Sequence, residues 1–74
     1  METIAVTSTT LSSVAYDASE QLLDLEFRSR VVYRYFGVPA DVHTGLLSSA
    51  SKGAYFNQVI RNRYAFTRRS EDGA

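Results

Sequence analysis

A chain of 74 residues suffices for one domain and no more. At 45% hydrophobic and 22% charged it is too apolar for wholesale disorder, and without cysteine it can form neither a disulfide nor a thiolate metal site. Its net charge is zero, yet residues 1–41 carry six acids against three bases while residues 42–70 carry five bases and no acid, so a neutral chain can present one cationic face.

Seven of the eight bases are arginine, whose planar fork suits phosphate or carboxylate. The simpler alternative is a solvated helix face and a ragged tail. No apolar stretch approaches the ~20 residues needed to span a bilayer, and no basic segment followed by an apolar run marks a signal peptide. With the lack of cysteine, this suits a cytoplasmic protein.

In chain order, residues 1–10 read as an N-terminal arm or an edge strand around Ile4 and Val6. Leu11 to Tyr16 is short and β-prone, with Val14 and Tyr16 on one face, and residues 17–20 read as a turn. In Gln21 to Phe27, Leu23, Leu25 and Phe27 alternate with Leu22, Asp24 and Glu26, the pattern of a half-buried antiparallel strand. The alternation predicts Leu23, Leu25, Phe27 and Tyr33 buried, and Asp24, Glu26 and Arg34 exposed. Arg28-Ser29-Arg30 is a tight connection without glycine, and Val31 to Phe36 completes a hairpin. There Val31, Tyr33 and Tyr35 face the core, leaving Leu22, Val32 and Phe36 on an open sheet face.

Gly37-Val38-Pro39 ends the sheet. Proline suits a first helical position, and Asp41 in the first turn meets the positive end of the helix dipole. Val42, Leu46, Leu47 and Ala50 form the apolar stripe of a first helix that Gly45 weakens by about 1 kcal/mol relative to alanine. Ser51 is the predicted N-cap of a second helix starting at Lys52, with Phe56, Val59 and Ile60 as its apolar stripe. Asn57, Arg61 and Tyr64, at i, i+4 and i+7, form a second, polar stripe. The expected fold is α+β: a three-stranded antiparallel meander followed by two helices on one face, with a single domain over 11–66 and a flexible tail over 67–74.

Catalytic chemistry has little to stand on. His43 is the only histidine, and Asp41 two residues away on the same helix points to another side. The four glycines are scattered, so there is no glycine-rich phosphate loop, and neither a metal nor a cofactor is expected. The chain therefore reads as a binding domain and not an enzyme.

The binding candidates are Ser51, Lys52, Gly53, Tyr55, Asn57, Arg61, Arg63 and Tyr64. Gly53 can leave the N–H groups at the helix start open to an anion, with Lys52 assisting, or simply let the two helices approach. Tyr55 and Tyr64 can stack on bases or serve as ordinary packing.

Taken in order, Ser8, Val14-Ala15-Tyr16-Asp17, Leu23-Asp24-Leu25-Glu26-Phe27, Tyr33-Arg34-Tyr35, Val38-Pro39, Ala50-Ser51, Gly53, Tyr55-Phe56-Asn57, Ile60-Arg61 and Tyr64 resemble the KTSC domain. That small module is named for its place at the C-terminus of some bacterial lysyl-tRNA synthetases. The resemblance spans residues 6–64 and implies a stand-alone version, bacterial or phage-borne. One departure is Arg30, where the family usually has a glycine in the hairpin turn. The resemblance supplies no activity, only an association with tRNA. Two readings follow: an RNA- or tRNA-associated accessory domain using a basic helical face, or a protein-interaction module docking through Ser51, Asn57, Arg61 and Tyr64.

Overall fold

The alternating segments fold as a meander. In the computed structural model, which describes residues 1–69, β1 (Glu2–Ala5), β2 (Leu11–Asp17), β3 (Leu22–Phe27), β4 (Val32–Phe36) and β5 (Phe66–Arg68) form one antiparallel sheet in that order. Between β4 and β5 the chain makes α1 (Ala40–Ser48), then α2 (Lys52–Tyr55), which runs on into a π-helical turn (Phe56–Ile60). The α+β class is as expected, but the sheet has five strands where three were predicted. The arm pairs with β2 as an edge strand, with Ile4 opposite Val14. Thr67 and Arg68, assigned from sequence to the tail, lie in β5, Arg69 follows them against the sheet, and residues 70–74 of that predicted tail fall outside the described residues. Both are short, exposed edge strands; β1 realises the edge-strand alternative expected for residues 1–10, whereas the alternation of β5 is too brief to read.

Register fixes which side chains meet. Val14, Leu25 and Tyr33 lie across from one another, as do Tyr16, Leu23, Tyr35 and Phe66, all on the helix-covered face. A bulge at Ser12 puts Leu11 on this same face, opposite Phe27. Leu11, Val14, Leu23, Leu25, Val38, Leu46 and Ile60 are fully buried. Each such leucine contributes about 1.5–3 kcal/mol relative to exposure, which is how so small a chain folds without staples. Leu23 and Leu25 are buried as predicted, but Phe27 and Tyr33, predicted buried as well, are only half-buried against the core.

Asp24 corrects the facing rule. It lies on the open face yet is only 8% exposed, because two arginines cover it. Arg34 grips it with both prongs, Nε to Oδ1 at 2.8 Å and Nη2 to Oδ2 at 3.1 Å, and Arg69 reaches Oδ2 at 2.9 Å. Arg34 is consequently half-buried, not exposed, and so is Glu26, whose Oε1 accepts from Ser13 Oγ at 3.0 Å. The alternation places a side chain on a face but is silent on what long neighbours fold over it.

The turns rest on left-handed residues. Arg30 has φ +75° in a three-residue loop closed by Arg30 N–H to Phe27 O and Phe27 N–H to Val31 O, both 2.9 Å. This is a type I turn followed by a left-handed residue, which accounts for the family's glycine there. Gly37 (φ +72°) ends β4, and Pro39 precedes α1 as its cap residue. Helix α1 stops at Ser48, so Ala50 lies off the predicted stripe and is exposed. A Cβ on Gly45 would lie 2.9 Å from the Tyr55 ring carbon Cζ, so the glycine is where the two helical segments touch. Ser51 caps as predicted, its Oγ accepting from Ala54 N–H at 3.3 Å.

Candidate nucleic-acid interface

The second helical segment ends early and wide. Arg61 N–H donates to Phe56 O at 2.8 Å, five residues back, and Asn62 turns the chain with φ +68°. Asparagine tolerates the left-handed region better than most residues. The polar stripe is therefore corrected. Asn57 and Arg61 stay together, with Arg61 Nη1 donating to Asn57 Oδ1 at 3.3 Å, but Tyr64 lies beyond the helix, half-buried against the core.

Where the π turn leaves the sheet, it uncovers a groove of about 390 Å³ lined by Phe27, Tyr33, Tyr35, Phe56, Arg61, Asn62 and Phe66. Its rings brace one another edge to face: Phe27 on Tyr33 and on Phe56, Tyr33 on Phe66, and Tyr35 on Phe56, with centroids 5.2–5.8 Å apart. Phe66 is 58% exposed and forms the open rim of the groove. Burial raises the Tyr35 phenol pKa and the nearby Tyr33 adds to this, while the Arg61 charge opposes it. Neither tyrosine hydroxyl has a hydrogen-bond partner among the described residues. Tyr35 and Phe56, 5% and 8% exposed, form its floor, so the groove offers the Phe66 ring, parts of the half-buried Phe27 and Tyr33 rings, two hydroxyls without a partner among the described residues, a guanidinium and an amide. Apolar walls with a few convergent polar groups are what a flat heterocycle needs.

The other sequence candidates fall elsewhere. Ser51, Lys52 and Gly53 line a separate cleft with Arg28, at the start of α2. Nine helical residues, roughly 13 Å, separate this cleft from Arg61. Gly53 has a packing role: a Cβ there would come 3.2 Å from Thr10 Cβ, so the glycine admits the β1–β2 loop, not the other helix. Lys52 Nζ donates to Ser49 O at 3.2 Å. Tyr55 packs half-buried over Gly45, and Arg63 is exposed on the turn after the π segment.

Sequence reasoning missed most of the groove. Phe27, Tyr33, Tyr35 and Phe56 count as core by periodicity, and Phe66 lies in a stretch with no visible pattern. The available signal was an excess of aromatic residues around one arginine.

His43 stacks flat on Tyr16, with centroids 4.5 Å apart and planes at 15°, and Tyr16 donates to Val38 O. Burial lowers the His43 pKa. No group of three or more metal-ligating side chains occurs among the described residues, and no helix there is long and apolar enough to cross a membrane.

The model of the KTSC domain family matches residues 7–64. An uncharacterized protein of Stutzerimonas stutzeri is 41% identical over 64 residues, covering 86% of this chain and 90% of that protein. A lysine–tRNA ligase of Nostoc punctiforme is 38% identical over 56 residues; the match covers 76% of this chain but 10% of the ligase. The crystal structure of a KTSC domain protein from Yersinia pestis superposes with a TM-score of 0.89 at 31% identity, over 92% of this chain and 96% of that one.

Proposed function

The chain belongs to the KTSC domain family, and from that premise we propose that it is a non-catalytic accessory domain that holds RNA, with tRNA as the first candidate. The observation that carries this reading is the aromatic groove with Arg61 beside it. Unpaired bases stack on aromatic rings, and arginine answers the adjoining phosphate. Arg61 and Arg63 are exposed on consecutive sides of the turn, in the acid-free part of the chain. The similarity to part of a lysine–tRNA ligase supports tRNA as the partner class.

The test is a titration of labelled tRNA and of a single-stranded oligonucleotide at several salt concentrations. Binding should weaken with a log–log slope of about −0.7 per phosphate contact, and Arg61→Ala/Arg63→Ala should flatten it by about one unit. Phe66→Ala should cost about 1–3 kcal/mol of affinity for one stacked base. The fold should persist, because Phe66 is already more than half exposed. Affinity weaker than about 100 μM at about 50 mM salt refutes the reading.

One observation favours the alternative, protein interaction. Leu22 and Phe36 face each other on the open side of the sheet, and Phe36 is 42% exposed. A pull-down that survives Arg61→Ala but fails with Phe36→Ser would support that reading.

A further inference from the structure

The β1–β2 loop, the β3–β4 turn and the start of α2 enclose an open cleft of about 510 Å³, bordered by Ser8, Thr9, Arg28, Ser51, Lys52 and Gly53. Its chemistry is one-sided. Ser8 Oγ already accepts from Thr10 N–H at 3.0 Å and Leu11 N–H at 3.2 Å. Ser51 Oγ likewise accepts from Ala54 N–H. A hydroxyl whose oxygen is engaged in this way keeps its O–H as a donor. Lys52 spends one of three ammonium hydrogens on Ser49 O, leaving two. The Arg28 side chain pairs with nothing among the described residues, while its backbone N–H is fixed to Thr10 O at 3.0 Å. Among the described residues, no carboxylate lines the cleft. The described side chains around it therefore present two cations and several hydroxyl donors, with no competing anion among them.

We infer that this cleft is a phosphate subsite, with the Arg28 guanidinium and the Lys52 ammonium supplying charge and Ser8, Thr9 and Ser51 supplying hydroxyl hydrogen bonds. Charge-assisted hydrogen bonds from arginine and lysine to phosphate oxygens are the strong kind, and arginine can make two in parallel. Phe27 and Arg28 are consecutive, so the end of β3 places a ring in the aromatic groove and a cation in the cleft. One strand could then occupy both, with a base in the groove and a phosphate in the cleft. The subsite rests on the RNA reading only for the source of its phosphate.

The experiment follows amide NMR shifts during titration with inorganic phosphate, with sodium chloride at matched ionic strength as control. Phosphate should produce saturable shifts at residues 8–10, 28 and 51–53, and chloride should not. Arg28→Gln, an exposed substitution that leaves the fold intact, should weaken binding several-fold, and Arg28→Gln/Lys52→Gln by about tenfold or more. Equal shifts with chloride, or binding unchanged in Arg28→Gln, would overturn the site. A 5′-phosphorylated oligonucleotide compared with its unphosphorylated twin distinguishes a terminal phosphate, which favours the first, from a backbone phosphate, which favours neither. An oligonucleotide that binds and shifts only the aromatic groove removes this subsite and leaves the RNA reading standing. Phosphate binding without oligonucleotide binding does the reverse.

Discussion

Replacing Arg30 with glycine should stabilise the domain. The residue holds φ +75° at the last position of the β3–β4 loop, where hydrogen bonds at 2.9 Å on both sides leave no alternative geometry. A left-handed backbone costs a residue with a side chain about 1–2 kcal/mol, which glycine does not incur. Glycine's greater freedom in the unfolded chain returns about 0.5–1 kcal/mol of that. The Arg30 side chain is exposed and makes no ion pair among the described residues, so little else is lost. The expected net gain is about 0.5–1 kcal/mol, or roughly 2–8 °C in Tm for a domain of this size. Thermal unfolding by circular dichroism reads this directly. Arg30→Ala is the control, since it removes the same charge and keeps the strain. If alanine stabilises as much as glycine, the gain is electrostatic and the backbone argument fails; if glycine lowers Tm, the argument fails outright.

Gly45→Ala should lower stability by about 1–3 kcal/mol despite alanine's better helix propensity, because the new methyl meets the Tyr55 ring; a raised Tm would refute the contact. Leu25→Ala, at a fully buried position, should cost about 2–5 kcal/mol and unfold much of the population in a urea titration. Ser51→Ala should lose about 0.5–2 kcal/mol with its cap bond to Ala54, again read from urea midpoints. His43 should make stability fall on mild acidification. Its folded pKa lies below the unfolded value of about 6.5, so its contribution is intact above that pH and is lost as pH falls through the folded pKa. His43→Gln should flatten that part of the Tm-versus-pH curve between about pH 7.5 and about 5.5, and an unchanged slope would count against the buried imidazole.

What could be read from the sequence was what repeats. The alternation through Leu23, Leu25 and Phe27 fixed a face because it ran long enough to exclude the opposite register, and Ser51 before Lys52-Gly53-Ala54 announced a helix start. The misses share a cause. β5 has three residues, and its strand character comes from pairing with β4, a strand distant in sequence. Asp24 is buried by Arg69, which is 45 residues away, a partner no local pattern can supply. A 3.6-residue period carried on from Asn57 and Arg61 puts Tyr64 on a helical stripe, whereas a single wide turn ends the helix at Ile60.

That wide turn links the fold to the proposed site. An ordinary α-helical ending would return Arg61 N–H to Asn57 O; here it goes to Phe56 O instead. Phe56 and Ile60, four residues apart and so on one face, both stay in the core while the chain leaves at Arg61. Asn62 then reverses direction, and within four residues Phe66 is paired with Tyr35 on the sheet. So short a return leaves no helix over the end of β4 and β5. There the exposed Phe66 and the half-buried Tyr33 stand over the buried Tyr35 in a groove that also takes in Arg61 and Asn62. Single π turns recur at functional sites because they displace side chains without unfolding the helix. In this domain the wide turn ends the helix beside Phe27, Tyr33 and Phe66, so that these rings wall a groove floored by the buried Tyr35 and Phe56, with a cation beside it.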